Sequence, residues 1–280
     1  MASPTGATRL AAVIGDPVRH SLSPLLHNTA FESLGLDWVY VALEVASGRA
    51  ADALEAVRTL GIAGLSVTMP HKEDVADACD ALSPDARRLR AVNCVVNEDG
   101  HLVGHNTDGA GFIAALEAEL DFDPAGRRCV VLGAGGAARA IALALGRVGA
   151  AEVAVINRTM ERATEAAALA GAVGRVVDAD GVDAAIDGAD LIVNATSVGM
   201  GPEGGVPFEV TLLRSGHTVV DIVYRPLVTP LLDAARARGA RSANGVSMLV
   251  HQAAIAFSLW TGVEAPVTAM TRAVGSMLVD

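Results

Sequence analysis

Alternating and continuous apolar runs divide the chain into short strands separated by helical stretches. Leu10 to Ile14 is a continuous apolar run and predicts a buried strand; Leu25 to Leu34 carries a helix that stops at Gly35. Trp38 to Val45 alternates as a strand, Gly48 to Leu60 reads as an amphipathic helix, and Gly64 to Thr68 is a further strand followed by a helix through Asp80. This βαβαβ order predicts an α/β layer in its own right. Ala91 to Val96 and His101 to Val103 form a hairpin turned at Glu98-Asp99-Gly100, and Gly104 to Gly109 opens a helix running to about Leu120.

The turn-rich Asp121 to Gly126 predicts a domain join before Arg127. Beyond it the same alternation resumes. Strands fall at Val130 to Leu132, Glu152 to Ile156, Gly174 to Val177, Leu191 to Ala195 and Val219 to Val223, with helices to about Gly149, over Glu161 to Ala170 and near Ala184. Thr229-Pro230 opens a helix to Arg238, a short strand covers Ala240 to Ala243, Ser247 caps a long apolar helix to Trp260, and a last helix spans about Pro266 to Leu278.

The most informative stretch is Gly133-Ala134-Gly135-Gly136-Ala137-Ala138, set between a strand and a helix. In this G-x-G-x-x-A spacing the first glycine permits the turn and the second lets a pyrophosphate approach the backbone. The small Ala138 lets helix and strand pack closely, and phosphate then sits on free N–H groups at the helix N-terminus. The end of the next strand carries no carboxylate to accept from a ribose 2′-hydroxyl; it reads Asn157-Arg158-Thr159, then Arg162. Two guanidinium forks suit a 2′-phosphate, and the Thr159 hydroxyl can also cap the following helix, so the residues point to NADP. The bland alternative leaves both arginines as solvated charges at a helix start.

Composition narrows the class. The 280 residues are 51% hydrophobic, ample for one large or two modest cores, and the formal net charge of −11 argues against a nucleic-acid partner and for small molecules. Cys79, Cys94 and Cys129 show no metal spacing and suggest a reducing compartment, and no metal site is expected. No 18-residue apolar run appears and the first nine residues lack the apolar core of a signal peptide, so the expected location is the cytoplasm, away from membranes. Lys72 is the only lysine among 21 basic residues. It lies with Thr68 where a strand gives way to a helix, the end of a parallel sheet that binds ligands, and unlike arginine it can exchange a proton. The alternative is a single surviving surface lysine. Ser23 before Pro24 reads as a helix cap, yet with Ser21 nearby that helix start can also hold a carboxylate; Asp108, taken alone, is a first-turn charge.

Eight stretches occur in the order seen in one family. SLSPLLHN (Ser21 to Asn28), SVTMPHK (Ser66 to Lys72), AVN (Ala91 to Asn93), NTDG (Asn106 to Gly109), GAGGAARA (Gly133 to Ala140), NRT (Asn157 to Thr159), DIVYRPLVTPLL (Asp221 to Leu232) and Gly245 to Gln252 together resemble the shikimate dehydrogenases of the shikimate/quinate dehydrogenase family. The resemblance implies an α/β fold of two domains: a substrate-binding catalytic domain (1–111 and 246–280) and a Rossmann-like, doubly wound NADP-binding domain (112–245), with the C-terminal helices returning to the first. It implies reversible NADPH-dependent reduction of 3-dehydroshikimate to shikimate by a monomer or homodimer. Lys72 and Asp108 would be the catalytic pair. Ser21, Ser23 and Tyr224 would hold the substrate carboxylate, and Thr68, Asn93 and Gln252 the ring hydroxyls. Gly133, Ala134, Gly135, Gly136, Ala137, Asn157, Arg158, Thr159, Arg162, Ile222, Gly245 and Met248 would bind the cofactor. Three positions depart from the family pattern: Ser66 for asparagine, Cys94 for threonine and His105 for an acidic residue. A quinate or aminoshikimate dehydrogenase would keep the same pair, whereas a non-catalytic NADP-binding sensor would have no use for it.

Overall fold

The computed structural model describes residues 3–201 and 204–279. The chain separates into two compact units, one made of the residues up to Thr107 together with those from Val250 onward, the other of Asp108–Leu249.

In the first unit the central strand is β1 (Arg9–Gly15), buried from Ala11 onward because its run of small and branched apolar residues leaves no polar face. After it come α1 (Ser23–Ser33), β2 (Trp38–Glu44), α2 (Ala50–Leu60), β3 (Gly64–Val67), α3 (Lys72–Ala78), β4 (Ala81–Leu82), α4 (Pro84–Leu89), β5 (Cys94–Glu98) and β6 (His101–His105). The sheet order is β2-β1-β3-β5-β6-β4. β1 runs parallel to β2 and β3, while β5 returns antiparallel to β3 and pairs with β6 through a hairpin whose turn residues Asp99 and Gly100 have φ of 52° and 93°. Residues 81–90 carry β4 and α4, which the apolar pattern does not reveal. Two residues are too short a strand to show periodicity, and α4 is set by its cap, in which Ser83 Oγ accepts from Ala86 N–H ahead of Pro84.

The second unit begins with α5 (Asp108–Leu120) and continues as β7 (Arg128–Leu132), α6 (Gly136–Arg147), β8 (Glu152–Ile156), α7 (Met160–Leu169), β9 (Gly174–Val177), α8 (Val182–Asp187), β10 (Leu191–Asn194), β11 (Thr218–Asp221), α9 (Pro230–Ala237) and β12 (Arg241–Ala243). Its strand order, β12-β11-β10-β7-β8-β9, is parallel throughout and reverses direction between β7 and β10. That is the doubly wound arrangement, which binds a ligand beyond the strand carboxyl ends at the reversal point.

Two helices close the chain, α10 (Val246–Thr261) and α11 (Val267–Val279). The chain crosses between units at 107/108 and 249/250, so the expected limits at 111/112 and 245/246, and the expected join near Asp121, are displaced. The cause is burial: Phe112, Ala115 and Leu116 of α5, and Met248 at the start of α10, share one apolar cluster with Ile141, Leu145 and Val153. In the first unit α11 packs on α1, and Trp260 of α10 lies flat on Gly64, where any Cβ would stand 2.5 Å from the indole. The Trp260 Nε1–H donates to Val95 O at 2.9 Å. Beside it His27 is fully buried, 4.4 Å from the Tyr40 ring and 4.9 Å from Trp260, with neither ring nitrogen hydrogen-bonded among the described residues.

Two expected caps belong to other residues. Leu22 occupies the cap position of α1, and Ser23 is its first residue; the Ser21 hydroxyl accepts the Ser23 N–H at 3.2 Å. The α10 helix starts at Val246 because Asn244 Oδ1 takes the Val246 N–H at 3.0 Å, so Ser247 lies inside the helix, beside Glu119.

Candidate functional site

In the first unit the candidate residues gather where β1 and β3 end. Ser21 and Ser23, both half-buried, follow β1. Thr68 follows β3; its N–H donates to Ile14 O at 3.0 Å, its methyl faces Gly15, and its carbonyl accepts the His71 N–H at 3.1 Å. His71 is buried and its Nε2 contacts Val45 O at 2.7 Å, tying this loop to the end of β2. Lys72 is therefore presented at a fixed place, the first position of α3, half-buried, with its carbonyl accepting from Val92 N–H at 2.8 Å.

Asn93 stands at the centre of a hydrogen-bonded chain. Its Oδ1 accepts the Thr107 N–H at 2.7 Å, its Nδ2 donates to Thr107 Oγ1 at 2.9 Å and to Gln252 Oε1 at 3.4 Å, and its own N–H and C=O are held by His105 O and Val67 N–H. Both faces of the amide are thereby oriented, which one partner alone could not do. Asn106 adds a bond from Nδ2 to Ala91 O at 3.1 Å. Thr107 is 2% exposed and was no candidate from the sequence, although it lies in the Asn106 to Gly109 motif that marked Asp108. Tyr40 is likewise buried, its phenol raised well above the ordinary range by burial, with the hydroxyls of Ser66 and Ser23 approaching it without a hydrogen bond of ordinary geometry.

Two predicted residues of the substrate set belong to the second unit. Asp108 is the first residue of α5 and 7% exposed; Tyr224 is half-buried in the loop after β11. That unit also carries the phosphate-type cradle. Gly133 has φ +110°, and a Cβ there would stand 2.7 Å from Ala195 O, so only glycine makes this turn. Gly135 occupies the cap position of α6 in extended conformation with no side-chain cap, and no atom lies within 4 Å of where a Cβ at Gly135 or Gly136 would be. The start of a 12-residue helix is thus uncapped by any side chain and unobstructed where its glycines lie, flanked by half-buried Ala134 and Ala137, an arrangement fit for a pyrophosphate. At the end of β8, Asn157 Nδ2 donates to Thr159 O at 2.9 Å, fixing the turn. Thr159 is at the cap position of α7, but its hydroxyl makes no cap bond, contrary to the expected capping role. Arg158 and Arg162 are exposed, and no hydrogen bond or ion pair engages either guanidinium among the described residues. Gly245 is packed so tightly that a Cβ would collide with the Ile222 carbonyl, while Met248 is buried. Among the described residues no cluster of three metal-ligating side chains occurs, and no helix is long and apolar enough to cross a membrane.

Comparison with known proteins finds one family along most of the chain. Residues 13–95 match the shikimate dehydrogenase substrate binding domain, 116–200 the shikimate/quinate 5-dehydrogenase family and 245–274 the shikimate 5′-dehydrogenase C-terminal domain. A shikimate dehydrogenase (NADP(+)) of Moorella thermoacetica is 50% identical over 274 residues, covering 95% of this chain and 92% of that protein. The chain belongs to the shikimate dehydrogenase family. Among solved members, the shikimate 5-dehydrogenase of Thermus thermophilus in complex with NADP(H) and shikimate superposes with a TM-score of 0.87 at 40% identity, covering 96% of this chain and 99% of that one. The quinate dehydrogenase of Corynebacterium glutamicum in complex with NAD gives 0.90 at 38% identity, covering 96% and 99%.

The three positions expected to depart from the family pattern, Ser66, Cys94 and His105, fall at two places in the first unit. Cys94 and His105 are cross-strand neighbours in the β5/β6 hairpin, so two of the three alter one spot. Burial raises the Cys94 thiol and lowers His105, whose shift is opposed by Glu98. Ser66 faces Tyr40 instead.

Proposed function

We propose that this enzyme catalyses the reversible NADPH-dependent reduction of 3-dehydroshikimate to shikimate. The observation that carries the reading is the chain's only lysine held at the head of α3, next to an Asn93 whose amide is fully oriented by Thr107 and Gln252. Ser21, Ser23 and Tyr224 bind the substrate carboxylate; Thr68, Asn93 and Gln252 bind ring hydroxyls. Bound NADPH supplies hydride to the ring carbonyl. As negative charge develops on the carbonyl oxygen, the Lys72 ammonium stabilises it and delivers the proton; in the reverse direction the neutral amine takes it back. Asp108 accepts from the substrate hydroxyl and orients it.

The cofactor rests on the uncapped start of α6, with Arg158 and Arg162 on the 2′-phosphate, and Ile222, Gly245 and Met248 on the nicotinamide side. The absence of a carboxylate at the end of β8 supports NADP over NAD. The competing quinate reading draws on the Corynebacterium relative. The net charge of −11 and the lack of a spanning helix among the described residues fit a cytoplasmic enzyme of small molecules, working as monomer or homodimer without nucleic acid or membrane partners. The test is NADPH absorbance with 3-dehydroshikimate, 3-dehydroquinate and NADH in parallel. Turnover of 3-dehydroshikimate with NADPH alone is expected. Preference for 3-dehydroquinate or NADH overturns the assignment, and tight NADPH binding without turnover identifies a sensor.

A further inference from the structure

The parallel register of the second sheet sets Asn194, the last residue of β10, beside Asp221, the last residue of β11. Both are 0% exposed. Asp221 Oδ1 accepts from Asn194 Nδ2 at 3.0 Å and from the Val223 N–H at 3.1 Å, and Oδ2 accepts from the Thr229 hydroxyl at 2.7 Å. Thr229, 1% exposed, also caps α9 by accepting from Leu232 N–H. Asn194 in turn holds the loop beyond β10: its Oδ1 accepts from Thr196 N–H and Oγ1–H, its Nδ2 donates to Val198 O at 3.0 Å, and its carbonyl accepts the Ile222 N–H at 3.0 Å.

No lysine or arginine pairs with Asp221 among the described residues, and burial raises its pKa against the opposing effect of its three hydrogen bonds. A carboxylate at this depth that is held by hydrogen bonds alone, without a cation, contributes little to stability, and apolar packing would hold two strand ends together at less cost. What the carboxylate adds is geometry. It fixes two loops at once, and both emerge at carboxyl ends of β10 and β11, the half of a doubly wound sheet that takes the second mononucleotide of a dinucleotide. The segment it grips is also closed from the other side, where Gly245 packs on the Ile222 carbonyl and donates its N–H to Val223 O at 3.1 Å. Resting on the NADPH reading above, we propose that Asp221, acting through Asn194 and Thr229, is the positioning residue for the nicotinamide half of the cofactor site.

The proposal separates the two halves of the cofactor, which a general loosening of the fold cannot do. Asp221→Asn and Thr229→Val are to be compared with the unsubstituted protein for binding of NADPH and of adenosine 2′,5′-bisphosphate, which lacks the nicotinamide half, with thermal melting alongside. We expect NADPH affinity to fall about tenfold or more, the effect of one buried hydrogen bond left unsatisfied, and the bisphosphate to change by less than about twofold. Thr229→Ser, which keeps the hydroxyl, should restore NADPH affinity to within about threefold of the parent. Parallel weakening of both ligands, unchanged NADPH affinity in Thr229→Val, or failure of Thr229→Ser to restore it overturns the proposal. If Asp221→Asn does not fold, the Thr229 pair decides alone. Failure of the cofactor reading shows itself separately, as an unsubstituted protein that binds NADH in place of NADPH; the same comparison then runs with NADH and adenosine monophosphate.

Discussion

The two units reach their chemistry by opposite routes. In the first, the proposed site is built from side chains added and then immobilised: Asn93, Thr107 and Gln252 orient one another, and Lys72 is fixed through His71 and the backbone of Val92. In the second, the proposed phosphate cradle comes from side chains left out. Gly133 makes a turn that no other residue can, and Gly135 and Gly136 leave helix amides bare. The difference teaches where each unit is fragile. Deletions should damage the first, and additions the second.

The largest expected effect is deletion of the amine. Lys72→Ala should lower kcat about 10² to 10⁴-fold with little change in KM, the usual worth of a positioned proton donor. Steady-state kinetics decide this, and a KM rise with kcat intact would make Lys72 a binding residue only. Next, Thr107→Val removes a hydroxyl while keeping volume, and leaves Asn93 partly unsatisfied. We expect about 1 to 3 kcal/mol of lost stability and a higher KM for the substrate, with NADPH affinity unchanged, by chemical unfolding and kinetics.

Paired glycine changes test the second unit. Gly133→Ala should cost more than about 1 kcal/mol because of its positive φ and the Ala195 carbonyl, whereas Gly135→Ala, at φ −78° with open space around it, should stay within about 0.5 kcal/mol of the parent. Gly135→Ala should nevertheless weaken NADPH. Equal melting of the two variants would break the distinction between a glycine needed by the fold and one needed by the ligand.

The mildest effect near neutrality concerns His27, a polar group of the first unit outside the hydrogen-bonded chain. Burial lowers its pKa to about 3. The unfolded chain takes up this proton near 6.5 and the folded chain only near 3, so the unfolded state binds more protons in between. Stability should therefore fall by about 1.4 kcal/mol per unit as pH drops below about 6.5, with no contribution above it. A His27→Phe variant should flatten that slope in unfolding experiments from about pH 6.5 to 5, and an unchanged slope would show that other groups cause it.

What the sequence made legible follows from the same contrast. Candidates that stand out by identity or absence could be picked from the sequence: the lone lysine, the glycine spacing, and arginines where an acidic residue would mark NAD. Residues whose role depends on pairing across strands could not. Asp221 and Asn194 are 27 positions apart and meet only through sheet register, and Thr107 gains its meaning from Asn93 on the neighbouring segment. Caps misread by one or two residues, as at Ser23 and Ser247, have the same origin, since serine, asparagine and the preceding backbone compete for the same amides. The domain limits shifted because α5 is assigned by what it buries, a property of partners far along the chain.

The seating of Trp260 on Gly64, with its indole bonded to Val95 165 residues earlier, sets an order of events during synthesis. Asp108–Leu249 is one unbroken stretch and can complete its core as soon as it leaves the ribosome. The first unit cannot, because the strands made earliest must hold one face of their sheet open until the last helices arrive to cover it. Nascent chains of this protein should therefore spend most of translation with the first unit unfinished, and that unit, although first begun, should be last to fold.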